Sequence, residues 1–154
     1  MSHNPYSPPS AVVADVDAPL SLERPRPVIM GVRMLWLSLV VGLPGAIYNL
    51  VKMDSPAISK AVLIVFTLVC WAIGFLVFYW IVNSVWKGKN WARIVQLVFI
   101  VIGLLFAGIA VPIVFKTGTI MGITYVLQTT LNLAAVTLFF VPLSNAWFRA
   151  IKNQ

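Results

Sequence analysis

Residues 61–82 read AVLIVFTLVCWAIGFLVFYWIV, a run of 22 positions without a charge. As a helix rising ~1.5 Å per residue it measures about 33 Å, enough to cross a hydrocarbon layer of about 30 Å. A backbone in lipid must satisfy its own hydrogen bonds, so a helix is the one open-ended way to thread such a stretch through it. Lys60 and Lys87 bracket the run, and Trp86 extends the span to 61–86.

Working outward, three further runs repeat the pattern. Val28–Val51 is apolar except for Arg33, which lies near enough to the start to snorkel, leaving a span of about 34–51. Residues 94–115 carry no charge, and neither do residues 120–147. The connections are short: Lys52-Met53-Asp54-Ser55-Pro56, Lys87-Gly88-Lys89-Asn90 and Lys116-Thr117-Gly118-Thr119. Asp54 or Ser55 before Pro56 reads as a helix cap, as does Asn90. Pro44 lies inside the first span and Pro142 near the end of the fourth. Short loops force antiparallel neighbours, so the predicted fold is an all-α membrane protein, an up-down four-transmembrane-helix bundle over residues 28–154. The bulk composition agrees. The chain is 60% hydrophobic and 10% charged, against about 45–50% and about 25% in soluble domains.

Residues 1–27 differ from the rest, holding six of the ten prolines and three of the four acidic residues. Such a segment buries too little apolar surface to offset its ordering entropy, and the expectation is a disordered, proline-rich tail. Asn4, Pro5, Tyr6, Pro8 and Pro9 form a polar-aromatic-proline patch suited to docking as a polyproline segment.

The net charge of +7 does not point to nucleic acid, because the bases bracket apolar runs instead of sharing one surface. Arg24, Arg26, Arg33, Lys87, Lys89, Arg93, Arg149 and Lys152 fall on one side of a four-span topology; Lys52, Lys60 and Lys116 fall on the other. The positive-inside rule then predicts a multi-pass protein with both termini cytoplasmic. Trp36, Trp86, Trp91 and Trp147 lie toward the same eight-base side, as an interfacial aromatic belt requires. Lys87, Lys89 and Arg93 are candidate contacts for anionic lipid head groups.

Residues able to do chemistry are scarce. From Val28 onward Asp54 is the only acid, His3 is the only histidine of the chain and Cys70 the only cysteine. No catalytic constellation, cofactor motif or metal-ligand set is legible, and the expectation is a non-enzyme without cofactors. A proton-coupled transporter needs an intramembrane titratable group, and none is predicted. Cys70 reads as an inert buried small hydrophobe. Gln96 reads as a polar residue near the interface, and Gly103, Ala107 and Ala110, with Gly108 beside them, as a close helix approach within the bundle or, less commonly, a dimer face.

One intramembrane polar feature stands out. Thr124, Gln128 and Asn132 recur every four residues and share a face of the fourth span. Amides at that depth either bond across helices to fix packing or line a polar cavity. On the second span Trp71, Phe75, Phe78 and Tyr79 make an aromatic face, read as core packing or a ligand wall. The leading expectation is an accessory protein acting through contacts with a membrane-protein partner or a second copy. The alternative is a small uncoupled permease or lipid-handling protein with a polar path along the fourth helix.

Three patches carry a resemblance. The Asn4-Pro5-Tyr6-Ser7-Pro8-Pro9 leader, the Gly88-Lys89-Asn90-Trp91-Ala92-Arg93 turn and the Asn145-Ala146-Trp147-Phe148-Arg149 ending resemble those of uncharacterised small proteobacterial four-helix inner-membrane proteins with an Asn-Pro-Tyr-x-Pro-Pro leader. They cover under a fifth of the chain. The resemblance implies an inner-membrane location and carries no activity or site residue with it.

Overall fold

The structure is a computed structural model, and it describes residues 23–53, 56 and 58–152. The proline-rich tail, including Asn4, Pro5, Tyr6, Pro8 and Pro9, lies outside the described residues, as do Asp54 and Ser55. Five helices follow one another: α1 Arg26–Lys52, α2 Lys60–Trp86, α3 Asn90–Thr117, α4 Thr119–Phe140 and α5 Pro142–Lys152. The first four are long and apolar enough to cross a membrane, which makes the chain an all-α four-helix membrane bundle.

The connections follow from local chemistry. α1 begins just after Pro25 with Pro27 in its first turn, where a missing N–H costs nothing. It continues through Pro44, whose absent donor leaves the Val40 carbonyl without its helical partner. Lys60 Nζ donates to Val51 O at 3.2 Å, satisfying a carbonyl that the end of α1 leaves open. α2 starts at Lys60 after Ser59, later than the Pro56 signal suggested. Gly88 turns α2 into α3 at φ +75°, a conformation that suits glycine. Asn90 does not cap α3; it is the first helical residue, and its Oδ1 is buried with no hydrogen-bond partner.

The fourth span ends earlier than residue 147. Proline at 142 disfavours helical backbone at Val141, which is extended at ψ 154°. α4 therefore stops at Phe140, and the eleven residues Pro142–Lys152 form a separate helix, α5. Its apolar face returns to the bundle, with Trp147 and Phe148 buried and in edge-to-face contact at 4.9 Å. Trp147 is consequently part of the core and not of an interfacial belt.

Burial is uneven along the bundle. Buried residues occupy positions 28–38 of α1, 81–85 of α2, 92–96 of α3, 135–139 of α4 and 144–148 of α5, all at the end that carries both described termini. There Leu35, Val82, Val85, Phe139 and Phe148 share one core. Toward the end carrying Lys52, Lys60 and Lys116, Gly122 is the one buried residue of the described spans. α1 packs most extensively on α4, and α4 on α3, while α2 touches its neighbours sparingly. The bundle is thus shut at one end and splayed at the other.

Small residues explain the tight side. A Cβ on Gly31 would lie 2.5 Å from the Phe139 ring, and one on Gly42 would lie 2.7 Å from Gln128 Nε2. Both glycines let α1 approach α4 closely. Gly103 and Gly108 of α3 have no neighbour within 4 Å of that position. The close approach expected along the third span therefore belongs to α1 and α4 instead.

A candidate ligand-binding cavity

Where α2 parts from the others, the four spans line a cavity of about 1250 Å³ that is open over much of its boundary. Pockets for drug-sized ligands run to about 300–1,000 Å³, so this one is lipid-sized. It begins above the shared core, at the level of Ser38, Ile81, Gln96 and Asn132, and extends to Asn49, Thr117 and Met121 at the splayed end. Among the described residues, no charged side chain lines it.

The polar stripe of α4 faces this space. Thr124, Gln128 and Asn132 all line the cavity, joined by Thr129. Their circumstances differ. Asn132 Oδ1 lies 2.9 Å from Ser38 Oγ, which is also 2.8 Å from Leu35 O and shares its one proton between them. That contact is a packing bond between α1 and α4. Thr124 Oγ1 donates to Met121 O at 2.9 Å, and Thr129 Oγ1 to Tyr125 O at 2.9 Å, both within α4. Gln128 rests against Gly42 and has no hydrogen-bond partner among the described residues. The stripe thus divides: Asn132 fastens two helices, while Gln128 offers a free amide to the cavity.

Gln96 is the residue that sequence reasoning undervalued. It is only 8% exposed, lines the cavity and has no hydrogen-bond partner among the described residues. Its amide atoms remain accessible from the cavity, so they are a donor and an acceptor open to a water or a ligand there. Its depth was the available signal. At ~1.5 Å per residue Gln96 stands about 9 Å into α3, and Asn132 about 12 Å before the end of α4, so antiparallel packing brings them level. Ser38 went unnoticed for a similar reason, since a lone serine in an apolar run has no periodicity to betray it.

The opposite wall is aromatic. Trp71, Phe75 and Phe78 of α2 line the cavity, whereas Tyr79 does not. Trp36 of α1 meets Phe78 edge-on at 5.6 Å, with Phe75 at 6.4 Å and Tyr79 at 6.5 Å, closing the seam between α1 and α2 at that level. Cys70 is exposed on the cavity wall and not buried as expected.

The three bases proposed to meet anionic lipid have separate fates. Lys87 and Lys89 are exposed in the turn. Arg93 is buried, donating through Nη1 to Phe139 O at 3.3 Å and to Asn145 Oδ1. Its guanidinium also stacks on the rings of Phe140 at 5.1 Å and Phe148 at 4.6 Å. It ties α3 to the α4–α5 corner, and Asn145 Nδ2 completes the tie by donating to Phe140 O at 2.8 Å. Arg24 does comparable work outside the core, lying over the Trp86 ring at 4.3 Å and donating to Trp86 O at 3.1 Å. Among the described residues, no group of three or more His, Cys, Asp or Glu side chains is placed to hold a metal ion.

Comparison of the chain with protein-family models, with curated proteins and with solved structures finds no match in any of the three.

Proposed function

We propose that this is a non-enzymatic integral membrane protein of the bacterial inner membrane that takes a lipid or lipid-like amphiphile into the cavity between its four spans. One observation carries the reading: a lipid-sized space is lined by two amides, Gln96 and Gln128, that the protein itself leaves without partners. An amphiphile matches both halves of the lining, its chain against Trp71, Phe75 and Phe78 and its polar part near the amides. Both termini are assigned to the cytoplasm on the strength of eight bases against three.

Gly74 and Gly103 provide the test, since both line the cavity and an added Cβ at either meets nothing within 4 Å. Gly74→Leu and Gly103→Leu should fill the space without disturbing the fold. The measurement is the lipid retained by purified protein after exhaustive washing, read by native mass spectrometry. Wild type should carry a bound lipid, and both variants should lose most of it while melting at the wild-type temperature. Equal retention in all three proteins would remove the cavity as a binding site.

A second reading has its own observation. Gly108 of α3 has open space where a side chain would be, on a helix whose outer two-thirds buries nothing among the described residues. Such a face suits docking of a helix from a membrane-protein partner or a second copy. Under that reading Gly108→Leu breaks an assembly seen in mild detergent and leaves lipid retention unchanged.

A further inference from the structure

The floor of the cavity narrows the chemistry of what it holds, given that it holds an amphiphile at all, as proposed above. Ser38, Gln96, Gln128 and Asn132 come from three helices to the closed end of the cavity. Their groups are all neutral. Gln96 and Gln128 each leave a carbonyl acceptor and an NH₂ donor unused, and the Asn132 NH₂ makes no bond among the described residues. Donors and acceptors are therefore mixed within about one helical turn, ~6 Å along the axis, under a wall with no charge among the described residues.

A carboxylate or phosphate brought there loses its water and meets no counter-charge, which is costly in a low-dielectric site. The base nearest that floor, Arg93, is turned away, its Nη1 bonded to Phe139 O and Asn145 Oδ1 and its Nε buried. An ammonium head finds no carboxylate among the described lining residues, although the rings of Trp71, Phe75 and Phe78 attract a quaternary one weakly. Hydroxyls both donate and accept, and a cluster of them fits a mixed amide floor without any charge to compensate. We infer that the ligand is a lipid with an uncharged, hydroxyl-bearing head, such as a glycerol or a sugar, seated among Gln96, Gln128 and Asn132. Its chain runs along α2 toward the splayed end.

Trp71 is a reporter inside the site. The full chain, in nanodiscs of phosphatidylcholine, is titrated with three probes sharing one brominated acyl chain: a monoacylglycerol, the free fatty acid and the lysophosphatidylcholine. Quenching lost in Trp71→Phe isolates the cavity signal. The monoacylglycerol should saturate that signal at a mole fraction on the order of tenfold or more below either charged probe. Gln96→Leu combined with Gln128→Leu should erase the difference between probes while leaving chain uptake. If the fatty acid or the lysophosphatidylcholine binds as well as the monoacylglycerol in wild type, the neutral-head inference is overturned and the lipid-binding reading survives. Absence of saturable Trp71-dependent quenching with every probe overturns the lipid-binding reading itself. Undiminished head-group preference in the double variant overturns the assignment of the two amides.

Discussion

Two glycines of α1 both abut side chains of α4 and should respond differently to the same change. A methyl group at Gly31 would sit 2.5 Å from the ring of Phe139, a fully buried side chain in the shared core. A rigid ring in close packing has nowhere to go, and overpacking of this kind costs about 1–3 kcal/mol. At Gly42 the obstructing atoms are the amide end of Gln128, which is flexible and borders open space. Gly31→Ala should therefore lower the melting temperature by several degrees, while Gly42→Ala should change it little and turn the Gln128 amide further into the cavity. Thermal unfolding of both variants in the same detergent decides it, and an equal loss would show that Gln128 is held as firmly as Phe139. The sequence distinguishes neither case, because GVR at 31 and GLPG at 42 say only that small residues are present. What each glycine faces depends on α4, about a hundred residues later.

At the scale of elements, the long apolar runs made α1 to α4 legible, since hydropathy over twenty residues is a signal no local rule overrides. The break at Val141 was the part misjudged. A proline near the end of an apolar run reads as a tolerable kink, yet here the run after it turns amphipathic and lies back on the core. Arg93 secures that corner with two carbonyl-type acceptors and two aromatic faces at once. A planar fork can serve all four, and a lysine ammonium cannot. Arg93→Lys keeps the charge and should still cost about 1.5–3 kcal/mol, the worth of a hydrogen bond to a charged donor. α5 should then become susceptible to proteolysis after Trp147 under conditions that leave wild type intact. A wild-type cleavage pattern in the lysine variant would mean that the aromatic packing alone holds the corner.

For the molecule as a whole, orientation is the property that the distribution of charge predicts. Eight bases lie toward the end with both described termini and three toward the other. Green fluorescent protein fused after the last residue should fluoresce, and alkaline phosphatase fused there should be inactive, with the reverse result for fusions in the 53–59 loop. Fluorescence from the loop fusion would invert the bundle and open the cavity to the cytoplasm. The cavity itself was only half legible. Thr124, Gln128 and Asn132 marked its polar side by their spacing, but its existence depends on how sparingly α2 touches its neighbours. Hydropathy is blind to that distinction, because a helix facing lipid and a helix facing a lipid-sized hollow have the same composition.

The heaviest interface joins the first span to the last, and this sets a clock on biosynthesis. While α2 and α3 emerge from the ribosome, α1 waits in the bilayer with Ser38 and the Gly31–Gly42 face uncovered, because the helix that completes them has not yet been made. Assembly is therefore withheld until α4 has entered the membrane, and a chain cut short before it leaves the insertion machinery with three spans and no α1–α4 seam to close. Membrane quality control should recognise such a fragment at once, which makes the stretch of message encoding α4 the part that decides whether any of the protein survives.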